Sequence, residues 1–166
     1  KLIELFPEQT GDDCPYELLA AIHRELKEPE EERRVLEEYS RRTDSAVPAL
    51  LRLAELQLSD RDWTSLIETS RLLIAINPLL PQVQRFRASA AEALGQTDDA
   101  LTALRALLQL SPNDPAELHY RLATLLKLSD RDQAKRHVLA ALEAAPRYRD
   151  AQRLLLEIVR SGKKEE

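Results

Sequence analysis

Glycine, cysteine and aromatic residues are scarce in this chain of 166 residues, which has three glycines, one cysteine, no methionine, and six aromatics besides Trp63. With only Gly11, Gly95 and Gly162, neither a glycine-rich phosphate loop nor a G-x-S-x-G nucleophile elbow can be written. Turns needing positive φ must be few, which argues against an all-β or Rossmann-like chain. Cys14 stands alone, so no internal disulfide or cysteine-rich zinc site exists. It lies between Asp13 and Pro15, an acidic setting that suits a residue leading into a helix better than a reactive thiol. A lone cysteine permits a reducing compartment without demanding one, so the compartment stays open, with the cytoplasm slightly favoured. No basic leader followed by an apolar run opens the chain, and no stretch approaches the ~18 consecutive apolar residues of a membrane span. The expectation is a soluble chain without membrane insertion.

His23, His119 and His137 form no H-E-x-x-H and no cluster of metal spacing. No catalytic residue, metal or cofactor is expected, and the chain reads as a non-enzyme. There are 24 basic and 29 acidic side chains, net −5, which disfavours nucleic acid because phosphate binding rests on concentrated cations. The imbalance sits at the front: residues 1–45 hold 13 acids against 7 bases. The run Glu28-Pro29-Glu30-Glu31-Glu32 could be an acidic docking patch, but proline and carboxylates at a helix start need no partner to explain them.

What the chain has in abundance is helix former, with 32 leucines and 21 alanines. Pro78, Pro112 and Pro146 recur at two equal steps, and one step back from Pro78 is Asp44, where a helix gives way to Ser45-Ala46-Val47-Pro48. Each proline closes an apolar run, because it lacks the amide hydrogen and disfavours α geometry in the residue before it. Between these stops lie two helical stripes per period. Phe86, Ala90, Ala91 and Leu94 form one, Gly95-Gln96-Thr97-Asp98 a turn and cap, and Ala100, Leu101, Leu104, Leu107 and Leu108 the next. The pentapeptide Leu58-Ser59-Asp60-Arg61-Asp62 recurs as Leu128-Ser129-Asp130-Arg131-Asp132. Identical wording suggests duplication, although helix capping accounts for its serine and aspartates.

The step between the prolines gives a 34-residue unit of helix, turn and helix, which resembles the tetratricopeptide repeat family. With the prolines at position 32, Ala54 and Ala88 stand at the family's small position 8. Leu66, Ala100 and Ala134 stand at position 20, and Leu73, Leu107 and Ala141 at position 27. Trp63 falls at aromatic position 17 and Gly95 at the turn glycine. The first unit departs by placing Glu32 where a small residue belongs, which predicts looser packing of its second helix. The fourth has Leu122 and Ala123 one place late, which predicts a first helix shorter by a residue or a rearranged turn. Tyr148, Ala151, Leu154, Leu155 and Ile158 make an amphipathic cap with a polar outer face.

The resemblance implies an all-α fold, a right-handed superhelical α-solenoid of about four helix-turn-helix repeats plus a C-terminal capping helix. The expected segments are a cut helix tail and loop at 1–14, repeats at 15–44, 46–78, 80–112 and 114–146, the cap at 147–161, and a disordered tail at 162–166. A helix tail at Lys1 to Pro7 implies a fragment of a longer protein. Arginine outnumbers lysine by 18 to 6, which with high Ala and Leu suggests a GC-rich bacterial source.

In the family the first helix of each unit lines a concave groove that binds peptides. Carrying its groove positions over gives Glu17, Ala21 and Arg24 in the first unit, Leu51 and Glu55 in the second, and Arg85, Ser89 and Glu92 in the third. In the fourth, a one-residue shift gives Tyr120, Thr124 and Lys127. Arg24, Arg85 and Lys127 are expected to hold carboxylates of an extended peptide and Tyr120 to offer a flat apolar contact. Position 9 holds no asparagine, so the family's chaperone-tail clamp is not expected. The implied function is a protein-protein interaction scaffold, monomeric, binding a peptide or helix of a partner. Self-association through Leu156 is a third possibility. The alternative is an accessory domain of a larger bacterial enzyme, such as a peptidase or transferase, packing in cis.

Overall fold

The computed structural model describes residues 14–42, 46–110 and 113–162. The expected helix tail at the front, the helix end at Asp44, Pro112 and residues 163–166 lie outside the described residues. Among those described there are nine helices and no strand: α1 Pro15–Glu25, α2 Pro29–Ser40, α3 Val47–Ser59, α4 Trp63–Ile76, α5 Pro81–Ala93, α6 Thr97–Gln109, α7 Pro115–Leu126, α8 Arg131–Ala144 and α9 Arg149–Gly162. They fall into two compact units, residues 1–94 with α1 to α5 and residues 95–166 with α6 to α9. Gly162 belongs to α9 rather than to a tail.

The repeat period is written into the helix starts. Second helices begin at 29, 63, 97 and 131, first helices at 47, 81 and 115 and the capping helix at 149, all in period, while α1 begins at 15, two residues late. Two devices set these starts. Proline occupies the first or second position of α1, α2, α3, α5 and α7, where its missing N–H is one the helix would leave unpaired anyway. Aspartate caps α4 and α8, where Asp62 accepts from the backbone N–H of Ser65 at 3.2 Å and Asp130 from that of Gln133 at 2.9 Å, while α6 has neither device.

Asp62 and Asp130 stand two whole periods apart, whereas the second pentapeptide copy overshoots two periods by two positions. The fifth letter caps α4 and the third caps α8, so the shared words sit in different registers of the repeat and are no duplicated turn. The slip leaves Leu128 92% exposed, while Leu58 is 36% exposed.

The hairpin turns follow the same period until the last one. Lys27, Arg61 and Gly95, each one period from the next, are left-handed at φ of 59°, 57° and 69°. In the first two, Glu28 N–H reaches His23 O and Asp62 N–H reaches Gln57 O, both at 2.9 Å, closing the helix end around the left-handed residue. The next residue in the series is Ser129, which is not left-handed. There Asp130 N–H bonds Leu126 O at 2.8 Å, and α7 has 12 residues where α3 and α5 have 13. The fourth hairpin is therefore both a residue shorter in its first helix and rearranged in its turn, with its start in register. A Cβ at Gly95 would meet nothing within 4 Å, so only backbone conformation opposes a side chain there. Gly95→Ala is expected to cost about 1 kcal/mol in urea unfolding, since left-handed geometry costs an L-residue roughly that much.

Ridge-and-groove packing favours small side chains where two helices cross. Ala54 and Ala88 at position 8, and Leu66, Ala100 and Ala134 at position 20, have no exposed surface. In the first unit of structure the buried set runs from Tyr16, Ala20, Leu36 and Tyr39 to Ala49 and Leu53. The rings of Tyr16 and Tyr39 stack 5.5 Å apart, 7° from parallel. In the second unit Leu104, Leu107, Leu122, Val138 and Ala141 are buried, and α9 adds Ala151, Leu154 and Ile158. The outer face of α9 is less polar than the sequence suggests, because Leu156 and Val159 are exposed.

Candidate functional site

Glu32 fills position 20 of the first hairpin and is 1% exposed. A carboxylate there would be costly alone, and two first helices supply its partners. From α1, Arg24 Nε donates to Glu32 Oε1 at 2.8 Å. From α3, Arg52 donates through Nε to the same oxygen at 2.7 Å and through Nη2 to Oε2 at 3.0 Å. Burial alone would raise the Glu32 pKa, and the hydrogen bonds and charges of Arg52 and Arg24 overturn that and hold it below the usual range. The arginine of this pair responds in the opposite sense: bonding to Glu32 raises Arg52 against the effect of burial. The looser packing expected at Glu32 is not what forms, since the carboxylate ties α1, α2 and α3 together.

The two arginines of this triad line an open cavity of about 420 Å³ together with Glu17, Ala21, Leu51, Glu55 and Gln82, and with Ala20, Leu36, Pro48 and Ala49 as its small and apolar part. Glu55 is held in place by Arg52 Nη1 at 3.2 Å and by Gln82 Nε2, from α5, at 3.1 Å. Three successive first helices thus contribute to one bowl. The predicted residues Glu17, Ala21, Arg24, Leu51 and Glu55 meet there. Arg24 is not a free cation awaiting a ligand carboxylate, because its Nε is spent on Glu32, although its side chain remains 48% exposed. The triad of two arginines and one glutamate carries one net positive charge, and Glu17 and Glu55 beside it leave the bowl slightly negative.

Arg85, Ser89 and Glu92 lie further along α5 and do not line this cavity. Arg85 is exposed, and Ser89 and Glu92 are half-buried. In the second unit, Tyr120 packs its ring 5.0 Å from that of Tyr148 at 52°. The Tyr148 hydroxyl donates to Glu117, and burial together with that bonded carboxylate pushes its pKa up. Thr124 Oγ1 turns back to donate to Tyr120 O at 2.9 Å. Lys127 pairs with Glu157 of α9 at 3.0 Å, so it too is already matched to a carboxylate. Both lie on a small cavity of about 260 Å³ with Leu128, Ser129 and Arg131, whose guanidinium donates to Ile158 O at 3.0 Å.

Sequence reasoning missed Arg52 and Gln82 in the bowl, and the meeting of His119 with His137. For Arg52 a signal existed: a glutamate in a small-residue position demands cations, and Arg52 adjoins Leu51. The two histidines face each other across the α7–α8 hairpin, with Nδ1 atoms separated by 2.9 Å. Among the described residues no cluster of three or more metal-ligating side chains occurs, and no helix is long and apolar enough to cross a membrane.

Residues 81–125 match the family model described as tetratricopeptide repeat. No curated protein matches the chain. Among solved structures, YrrB, described as a tetratricopeptide repeat protein with an unusual peptide-binding site, superimposes with a TM-score of 0.77 at 17% identity, covering 99% of this chain and 83% of its own. MamA from Desulfovibrio magneticus RS-1 gives 0.72 at 17% identity, over 89% of this chain and 84% of that one. The first tetratricopeptide domain of Spaghetti (RPAP3), bound to an HSP90 peptide, gives 0.60 at 18% identity, over 72% of this chain and 94% of that one.

Proposed function

We propose, from the premise that this chain is a solenoid of tetratricopeptide repeats, that it is a non-enzymatic interaction scaffold. It holds an extended peptide or a helix of a protein partner against its first helices, with the bowl of α1, α3 and α5 as the main seat. The observation that carries this reading is the convergence of first-helix side chains from three successive hairpins on one open cavity with an apolar floor and fixed polar groups. Peptide binding by YrrB and by the Spaghetti domain, as their descriptions state it, supports the same use of the fold. Fold alone does not assign a ligand, so the site must carry the argument.

The test is selection of binders from a random peptide library on the intact chain, followed by affinity measurement on variants. Leu51→Glu, which places a charge in the apolar part of the bowl, is expected to weaken selected peptides roughly ten- to thirtyfold, the loss expected for a contact worth about 1 to 2 kcal/mol. Arg85→Glu, outside the bowl, should leave them unchanged. Enrichment of no sequence, or equal loss from both variants, would remove the bowl as the seat.

One observation favours the second reading, an accessory domain packed in cis. Leu18, Ile22 and Leu26 form an exposed apolar stripe on α1. One and two periods after Ile22 stand Leu56 and Ala90, two periods after Leu18 stands Phe86, and all three are buried. At Ile22 the stripe thus has the register of a face that later repeats cover, while Asp60 and Leu94, one and two periods after Leu26, are exposed. In a longer natural polypeptide, hydrogen exchange of α1 slower than in this chain alone would support cis packing, and equal exchange would count against it.

A further inference from the structure

We propose that His119 and His137 form an acid-released latch on the α7–α8 hairpin, in which the neutral pair shares one proton between facing Nδ1 atoms and double protonation opens the hairpin. The Nδ1 atoms are 2.9 Å apart and the ring centroids 5.2 Å, at an interplanar angle of 32°. The centroid separation is close to the nitrogen separation plus the two ring radii, so the nitrogens point straight at one another. That is the geometry of a linear N–H···N hydrogen bond, and it needs one ring as the Nδ1–H tautomer and the other with a bare Nδ1. A metal ion bridging both lone pairs would not fit between nitrogens so close and so aligned. One additional proton can settle on the far nitrogen of the donor ring and leave the bond intact. A second must go to the accepting Nδ1, where N–H would face N–H, and the bond is lost.

The surroundings oppose that second proton. Both rings are part-buried, and burial holds both imidazoles below the ordinary histidine range, with the charges of His119 and Arg105 adding to the effect on His137. Arg105 comes from α6, where its guanidinium also reaches Gln133 of α8 at 3.4 Å. On α8 itself, Asp130, Asp132 and Arg136 share an open depression with His137. On α7, Glu117 already accepts the Tyr148 hydroxyl, and Arg121 adds another cation. The carboxylates of α9 are engaged elsewhere, Glu157 by Lys127 and Asp150 by Arg153. A group whose folded pKa is lowered binds protons more readily when unfolded. The latch therefore stabilises above the ordinary histidine range, and that stability is lost as pH falls through the folded values. His119 immediately precedes Tyr120, so release would also disturb the first-helix face of α7.

The test is amide hydrogen exchange on the intact chain between about pH 7 and 5, corrected for intrinsic exchange rates, with α1 to α4 as the internal reference. Opening of α7 and α8 is expected to rise about tenfold per pH unit for each proton taken up. His119→Gln and His137→Gln should each flatten that slope. A slope absent from the wild type, or retained in both variants, would overturn the proposal. Nitrogen NMR of labelled histidine in the wild type gives a reading that does not depend on the variants folding. One protonated and one bare Nδ1 are expected at neutral pH, and two bare Nδ1 atoms would rule the shared proton out.

Discussion

Arg52→Ala is expected to cost about 3 to 5 kcal/mol of unfolding free energy, the usual loss when one partner of a buried ion pair is removed. Arg52 donates two hydrogen bonds to Glu32 and one to Glu55, and after truncation Glu32 stays almost wholly buried with Arg24 as its remaining arginine partner. Glu32→Ala should cost less, about 1 to 3 kcal/mol, because both arginines are already partly exposed and can turn to water. The asymmetry is the signature of a buried anion held by half-exposed cations. Replacing both at once, Glu32→Ala with Arg52→Leu, should recover most of the loss, since alanine and leucine fill position 20 in the other repeats and buried ion pairs are often no better than packed apolar residues. Urea unfolding followed by the fluorescence of Trp63, the single tryptophan, reads all three. A Glu32→Ala loss larger than that of Arg52→Ala would contradict this account.

The same triad fixes a pH dependence. The Glu32 carboxyl is held below its ordinary value in the folded chain, so its unfolded form binds protons first as acid is added. Its stabilisation is complete above the ordinary carboxylate range near pH 4.5 and declines as pH falls through the lower folded value. The histidine latch begins to lose stability at a higher pH, because the ordinary histidine range lies above that of carboxylates. Glu32 belongs to α2 and the latch to α7 and α8, so acid acts on two different hairpins.

Local chemistry made the helical period legible and left the polar partnerships hidden. Proline at 78 and 146, Gly95 at a left-handed turn and the small residues at positions 8 and 20 each express a backbone or packing requirement that one residue type satisfies, so counting by the period recovers them. Glu32 breaks the pattern, and in isolation it reads as a defect. Its compensation comes from Arg24 before it and Arg52 after it, on helices whose side chains converge only once the hairpins stack. The histidine pair is hidden for the same reason, being two half-buried rings from opposite helices. The repeated pentapeptide misleads in the other direction: identical letters draw the eye to Leu128 as the partner of Leu58, while the caps Asp62 and Asp130 keep to the repeat frame. Of the candidate groove, Leu51, Glu55 and Arg24 line one cavity, whereas Arg24 and Lys127, read from the sequence as available cations, are each paired with a carboxylate. Both had carboxylates nearby in space that no spacing rule identifies.

Leu122→Ala is expected to cost about 2 to 5 kcal/mol, the range for a fully buried leucine whose surroundings relax only in part. The residue stands at position 8, where the two preceding repeats carry alanine, so a consensus argument would predict a gain. Packing decides otherwise. Ala54 and Ala88 have no exposed surface, which means the space beyond their Cβ atoms is already occupied, and Ala88→Leu should cost about 1 to 3 kcal/mol through overpacking. In the fourth hairpin the shortened α7 and the turn without a left-handed residue accompany a leucine at this place, with Ala123 beside it equally buried. The larger and smaller residues have exchanged adjacent positions, and the helix end has changed with them. Thermal unfolding of Leu122→Ala, Ala88→Leu and the local swap Leu122→Ala with Ala123→Leu separates the two ideas. If position 8 is small by rule, the first variant is neutral and the swap is stabilising. If each hairpin sets its own spacing, both Leu122 variants lose stability, and the loss appears as faster hydrogen exchange in α7 and α8 while α3 and α4 keep theirs.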